Sequence, residues 1–542
     1  MSSVAHNSRA RSTVEAKPLL SIKNPASSED IGVARCLPPE IENAGDNNNF
    51  SNNAHKSRQL QHQQYGRLIS ALSNLSTQYN LGSIAPALLL FDPKDAYNPP
   101  GGPAYPCSKE IDSLLKGVVF VGAILGQCMM GIIGDTIGLD KAMILTNMLT
   151  VIGVIGCTVA PLASRNDEDG NDAVDATYVY FVLICSRAVL GVGAGGIYPV
   201  ASAMSAEIAD CEAEVKGSVT TTDNRAKEVG NGLFWQTPGS MLPYFVSLIL
   251  FVLFGKEHNG RDHLLATNLQ YMILVGFGIL PSLAVLILTA FQLNASKEAR
   301  ETFRESASAK SLGNESIIKA SLHDPLNQMR LIGTGASWFL YDIIYYGAAF
   351  NLPQVLASVF GDDTDLVTSS WRNLFVTSMG LPGVMHALRL FDVMGTKSLQ
   401  GYGFCSLGVN CLALALCDAM DAGPKIMFTF CCCLIFTLNW AINVSTYVMP
   451  MESYPREVRS TFHGFSSGCG KVGGFIGGFF FSILYDRSVT LTFLVCALLS
   501  FIGVWVTWRY VEPFDDGVFS LKKRGDVVLY DQNVRRSEVM NN

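Results

Sequence analysis

Asp342 stands in the middle of the apolar run 330–357, with Trp338 four residues before it and Tyr346 four residues after. On a helix that spacing puts all three side chains on one face. The face would present an indole N–H donor, a carboxylate acceptor and a phenol that does both. An ionised side chain at membrane depth costs at least ~2.5–3.5 kcal/mol, so Asp342 needs a partner or a task. Either it contacts a polar solute, or it pairs structurally with a neighbouring helix. Lys471 lies in another apolar run among Gly468, Gly470, Gly473 and Gly474, small residues that let helices approach closely. Its ammonium would supply the positive charge an anion requires. The alternative is snorkelling to the interface, a long reach from a position twelve residues beyond Arg459. No nucleophile–base pair and no cluster with metal-ligand spacing accompanies these groups, so the sequence predicts neither an enzyme nor a metal or cofactor site.

The rest of the chain explains how such groups come to lie in a membrane. Of 542 residues, 49% are hydrophobic and only 16% are charged, where a soluble domain carries about 25% charged residues. Mean hydropathy is +0.26. The net charge of −7 gives nucleic-acid binding no electrostatic support. A bilayer core needs roughly 20 apolar residues per helix. Runs of that kind fall near 67–91, 112–134, 141–162, 177–205, 229–255, 267–291, 330–357, 372–393, 398–417, 424–450, 461–484 and 489–511. The predicted fold class is therefore an all-α integral membrane protein with twelve spans in two six-helix bundles, residues 67–291 and 330–511. A polar tail over 1–66, a central loop over 292–329 and a second tail over 512–542 flank them. Most of the 14 cysteines sit inside the apolar runs and read as small hydrophobes. Lys and Arg concentrate in the central loop and in alternate short loops, whereas the loops at 98–106 and 167–175 are acidic or Pro/Gly-rich. By the positive-inside rule both tails and the central loop are cytosolic.

The two halves echo each other. Gly134-Asp135-Thr136-Ile137-Gly138 follows the second run, and Asp392-Val393-Met394-Gly395 follows the eighth, each with a lysine (Lys141, Lys397) just beyond. Glu207 closes the fourth run, and Glu452 with Pro455 and Arg459 closes the tenth. Solvated loop charges explain one such set; two in register point to a duplicated bundle whose helix ends are tied by charge pairs that break as the halves rock.

These loops resemble the major facilitator superfamily. Three further stretches resemble its phosphate:proton symporters: Arg187 through Gly191, Gly193, Tyr198-Pro199 and Glu207; Gly333 through Trp338, Asp342, Tyr346 and Gly347; and Asn439 through Asn443, Pro450, Glu452, Arg459, His463-Gly464 and Lys471. The likeness runs from about residue 67 to 511. It implies secondary transport of inorganic phosphate by alternating access, coupled to protons. It also implies a substrate site of Asp342, Trp338, Tyr346, Lys471, Gln236, Tyr198 and Asn443. Gln236, Tyr198 and Asn443 taken singly read as interhelical hydrogen-bonding groups; as a set they converge on a central cavity if the fold holds. Dihydrogen phosphate both donates and accepts hydrogen bonds, which suits the mixed face around Asp342, and a carboxylate separates it from sulfate. For coupling or gating the likeness points to Arg187, Asp135, Asp392, Glu207, Glu452 and Arg459, with a structural pair to an acidic neighbour as the alternative for Arg187.

The sequence also departs from that family. Its first run reads Gln78-Tyr79-Asn80 and its fourth Gly196-Ile197-Tyr198 where the family carries acids tied to proton movement. Amides and an alkyl chain carry no proton, which leaves open coupling through Asp342 alone, another ion, or uniport. Leu139 and Asp140 stand where basic residues are usual, which weakens the charge pair expected at that loop. Ala441-Ile442 replaces a common Gly-Pro, removing the usual cause of a backbone break in the tenth run. Two other readings share the pattern: a carrier of glycerophosphodiesters or other organic anions, and a sensor that has lost transport. The plasma membrane is the default location, and Glu15 through Leu19-Leu20, an acidic dileucine pattern, would instead direct the chain to an endosomal, lysosomal or vacuolar membrane.

Overall fold

The computed structural model describes residues 48–91, 105, 107–166, 174–215, 222–254, 261–300, 311–361 and 366–511. The acidic loop 167–169 and the dileucine pattern lie outside the described residues. The chain enters through α1 (Asn48–Gly82) and α2 (Ile84–Phe91), then α3 (Lys109–Ile137) and α4 (Leu139–Val159). A two-residue antiparallel pairing, β1 (Arg165–Asn166) with β2 (Val174–Asp175), precedes α5 (Thr177–Val215). The fifth and sixth expected spans are α6 (Thr222–Phe234) with α7 (Gln236–Phe254), and α8 (Arg261–Gly276) with α9 (Ile279–Arg300). After α10 (Ser311–His323) come α11 (Pro325–Phe350), α12 (Leu352–Phe360), α13 (Leu366–Ser378) and α14 (Gly380–Ala419). The last are α15 (Pro424–Asn439), α16 (Ile442–Ser453), α17 (Arg459–Arg487) and α18 (Val489–Tyr510).

Among the described residues, ten segments are long and apolar enough to cross a membrane, and α11 with α12, bent by 55° at their junction, makes eleven. The remaining expected span is α1 with α2. It is too polar for that group because Ser70, Ser73, Asn74, Ser76, Thr77, Gln78, Asn80 and Ser83 interrupt it. All eight are buried, so these polar groups face the protein interior. Their hydrogen bonds are met there, for example Asn74 Nδ2 to the Ser70 carbonyl at 3.0 Å. A polar inward face is how a spanning helix can satisfy side chains that lipid would not.

Both Asp-x-x-Gly turns put their glycine at positive φ, Gly138 at 101° and Gly395 at 68°. A residue with a Cβ is strained there, so the repeated glycine is a backbone requirement met in both halves. Small residues also set the helix seams. In α3, Gly122 and Gly126 lie against backbone atoms of Ala188 and Val192 in α5. In α17, Gly473 and Gly477 face the carbonyls of Phe339 and Ile343 in α11. Any Cβ at those four positions would meet backbone, the close approach that small-residue seams allow in membranes. Helix α3 packs on α17, and α7 packs on α13, so the first six spans meet the last six along two seams.

The expected loss of the break in the tenth span is corrected. The helix stops at Asn439 and restarts at Ile442, with Ala441 at φ 62° and ψ −66°. Ile442 N donates to the Trp440 carbonyl at 2.6 Å, closing a γ-turn without glycine or proline.

Candidate functional site

Lys471 sits twelve residues into α17, and its side chain is only 1% exposed. Its Nζ donates to Asp342 Oδ2 at 2.9 Å and to the Tyr346 hydroxyl at 2.9 Å. The ammonium also lies 4.7 Å from the Tyr198 ring centroid and 4.4 Å from that of Tyr346, close enough for cation–π attraction. Glycines make this possible: a Cβ at Gly470 would strike the Trp338 indole, and one at Gly474 would come within 2.9 Å of Tyr346 Cδ2. Snorkelling is therefore excluded for Lys471, and Asp342 faces protein interior and not acyl chains.

Two anionic and cationic groups withdrawn from water hold each other mainly because each would be costly alone. Around them the aromatic walls close. Trp338 packs edge-on to Tyr198, Tyr447 and His463, with centroids 6.4, 6.1 and 5.2 Å apart. Phe120 from α3 meets Tyr346 edge-on at 4.6 Å and stacks on Phe350 at 5.5 Å.

From the ion pair a polar chain crosses into the first six spans. The Tyr346 hydroxyl lies 3.4 Å from that of Tyr198, which accepts from Gln78 Nε2 at 3.4 Å. Gln78 also donates to Gln236 Oε1 at 3.2 Å, and Gln236 Nε2 donates to Asn74 Oδ1 at 3.1 Å. A second link joins Thr237 to Asn439 Oδ1 at 3.4 Å, which also accepts from Asn443 Nδ2 at 3.4 Å. The expected residues thus divide. Asp342, Lys471, Tyr346, Tyr198 and Trp338 cluster directly; Gln236 joins through Gln78; Asn443 engages Asn439 and makes no hydrogen bond to the ion pair. Spacing along the chain does not reveal Asn74, Thr237, Asn439 and Tyr447, although each belongs to these networks or walls. His463 is buried, donating from Nε2 to the Tyr447 carbonyl at 3.2 Å while Nδ1 has no partner among the described residues.

The gating candidates gather at one end of the bundle. Asp135, ending α3, accepts from Ser460 N at 3.3 Å and Thr461 N at 2.6 Å, the uncapped N–H groups of the first turn of α17. The unusual Leu139 and Asp140 therefore do not prevent Asp135 from holding the facing helix. Arg459 donates to Asp210 Oδ2 at 3.2 Å, and Arg225 donates to Asp210 Oδ1 at 2.9 Å. Asp210, one turn beyond the expected Glu207, is thus the carboxylate that ties Arg459; the signal for it was the pair of arginines at neighbouring helix starts. Glu207 is half-buried and Glu452 is buried. Asp392 lies in α14 at the turn, and its side chain is outside the described residues. Arg187 belongs to none of this: it is buried inside the first six spans with no carboxylate partner among the described residues, against the acidic-neighbour alternative. At the opposite end Lys116 of α3 pairs with Asp112 at 2.8 Å and reaches Asn351 Oδ1, at the α11–α12 bend, at 3.5 Å.

Residues 67–512 match the family model described as sugar (and other) transporter. The chain is 30% identical over 453 residues to inorganic phosphate transporter PT2 of Toxoplasma gondii, spanning 82% of this chain and 72% of that protein. It is 25% identical to inorganic phosphate transporter PHO84 of Saccharomyces cerevisiae, over 69% of each chain. Among solved structures, the proton:xylose symporter XylE, bound to 6-bromo-6-deoxy-D-glucose, superposes with a TM-score of 0.63 at 15% identity, covering 84% of this chain and 96% of its own. A partially occluded inward-open form of XylE from E. coli gives 0.61, covering 84% and 98%. At that identity the likeness speaks for the major facilitator fold. With a helical multi-pass architecture and a family match across nearly all its spans, this chain belongs to the sugar (and other) transporter family of the major facilitator superfamily.

Proposed function

We propose that the protein carries inorganic phosphate across a membrane by alternating access, with Lys471 and Asp342 as the substrate-binding pair. The observation that carries this reading is the buried contact of Lys471 Nζ with Asp342 and Tyr346, each at 2.9 Å. A dihydrogen phosphate entering there accepts from the ammonium and from the Trp338 indole and tyrosine hydroxyls, and donates its P–OH to the carboxylate. The names of the relatives in Toxoplasma gondii and Saccharomyces cerevisiae support phosphate as the solute.

The ion pair is electrically neutral before the anion arrives. Lys471 exchanging Asp342 for the substrate leaves Asp342 without a counter-ion, which favours arrival of one proton with each anion. Gln78 and Asn80 hold amides at the usual acidic positions, so this route runs through Asp342 alone. The arginine-tied end, with both tails and the central loop, faces the cytosol on the charge rule, in the plasma membrane by default. Asp135, Asp210 and Arg459 there, and Lys116 with Asn351 opposite, act as alternately broken ties.

The test is radiolabelled phosphate uptake in a transport-deficient host, with surface expression measured alongside. Asp342→Asn and Lys471→Ala should each lower uptake by ~100-fold, the scale of truncating one partner of a buried charge pair. Full activity in both would place the site elsewhere. Competition that tracks glycerophosphodiesters and not phosphate would move the solute to that class, and uptake unchanged on collapse of the proton gradient would remove proton coupling.

A further inference from the structure

Arg187 lies in α5, ten residues beyond its start at Thr177, and is 2% exposed. Its Nε donates to the Leu115 carbonyl at 2.7 Å, and its Nη2 is buried without a hydrogen-bond partner among the described residues. The titratable groups that face it are the Cys157 thiol and the Tyr271 phenol, neither of them a carboxylate. A guanidinium stays charged in any protein setting, and an uncompensated buried charge is strongly unfavourable.

Beside it is a cavity of about 10 Å³, lined by Arg187, Asn80, Ser83, Cys157, Tyr271 and aliphatic side chains. A void of that size holds one small particle, a water or a single monatomic ion, and no tetrahedral oxyanion. The neutral polar groups on its wall are already engaged. Asn80 Nδ2 donates to Ser76, Gly278 and Ser282; the Ser83 hydroxyl donates to the Asn80 carbonyl; the Tyr271 hydroxyl donates to the Cys157 carbonyl. The strong donor left uncommitted on this void, among the described residues, is the arginine itself; the Cys157 thiol is only a weak one.

We propose that this cavity binds a chloride-sized monovalent anion, the exchangeable counter-ion of Arg187, at a site separate from the Asp342–Lys471 pair. A water molecule would satisfy the hydrogen bond but leave the charge unbalanced. The anion balances it. Asn80 is the position where a carboxylate would do the same work covalently.

The experiment uses the full chain purified in detergent, without phosphate, so its outcome is independent of the transported solute. Melting temperature is followed as chloride replaces gluconate at constant ionic strength. Wild type should gain ~2 °C or more with saturation, as expected for a ligand bound to the folded state alone. Bromide should substitute and give an anomalous diffraction peak beside Arg187. Asn80→Asp, which supplies the charge internally, should melt at the same temperature in both salts. Identical wild-type melting in chloride and gluconate overturns the proposal and assigns the void to water, and that comparison decides alone if the variant does not fold. A chloride shift that survives undiminished in Asn80→Asp overturns it as well.

Discussion

Lys471 and Asp342 could serve solute binding, helix packing, or both, and a paired substitution separates these. Removing one partner strands the other charge in a buried site, so Lys471→Ala and Asp342→Asn should each destabilise the protein by ~3–5 kcal/mol. Combining Asp342→Asn with Lys471→Met removes both charges and should recover much of that loss in melting temperature. Phosphate uptake should stay absent in the double variant, because neither charge is left to bind the anion; uptake that returns with stability would make the pair structural. Sulfate provides a second check. It should not compete with phosphate in wild type, and Asp342→Asn should erase that preference in whatever uptake remains, since the carboxylate is what accepts the substrate proton. Much of this site was readable from helix spacing: Trp338, Asp342 and Tyr346 are four apart, and Lys471 is flanked by glycines. Gln78 was readable only as a missing acid. Its place between Tyr198 and Gln236, at 3.4 and 3.2 Å, depends on helices 120 and 158 residues apart in sequence, which no local pattern encodes.

The break between α15 and α16 is the clearest case of tertiary context overriding local sequence. Nothing in Trp440-Ala441-Ile442 demands a γ-turn, and a non-glycine residue at φ 62° stores strain on the order of 1–3 kcal/mol. The strain is held from two sides. Gly403 of α14 leaves room for the turn, because a Cβ there would lie 2.7 Å from Ile442 N and 3.1 Å from Ala441 Cβ. The turn frees the Leu438 carbonyl, which accepts from the Tyr341 hydroxyl at 2.9 Å. Tyr341 is the immediate neighbour of Asp342, so the break connects the tenth span to the helix that carries the site. Ala441→Gly should therefore raise stability by about 1 kcal/mol, the relief of positive φ less the entropy glycine adds to the unfolded chain. Ala441→Val, β-branched at the same φ, should lower it by more than that and reduce uptake as Tyr341 loses its acceptor. Thermal melting with parallel uptake checks both; equal stability across Gly, Ala and Val would show that the turn is not strained. The Asp-x-x-Gly turns, by contrast, were readable because glycine at positive φ is a requirement the sequence states outright.

Between the two sets of six spans, the ties are unequal in kind. At one end Asp210 holds Arg225 and Arg459 at 2.9 and 3.2 Å, all three buried, and Asp135 caps the start of α17. At the other, half-buried Lys116 reaches the amide oxygen of Asn351 at 3.5 Å, a longer and weaker link. The spans themselves were readable from hydropathy, and the duplicated turns from their residues, but which carboxylate meets Arg459 was not: Glu207 and Asp210 differ by about one turn, and only the packing of α5 on α17 selects between them. The imbalance predicts that the Asp210 end opens only when its charge pairs are released. Asp210→Asn takes away the carboxylate that Arg459 and Arg225 share in a buried site and should weaken the closed end by ~3–5 kcal/mol. Asp135→Asn keeps a hydrogen-bond acceptor at the helix terminus and loses only its charge, worth about 1 kcal/mol. Each ~1.4 kcal/mol shifts a two-state population tenfold, so the first change should convert a closed end to a mostly open one while the second should move it by less than tenfold. Spin-label distances across that end, between the last turn of α3 and the first of α17, should lengthen in Asp210→Asn and change little in Asp135→Asn. Distances unaltered in both would mean that helix packing along the α3–α17 seam, and not the charge pairs, holds the halves together.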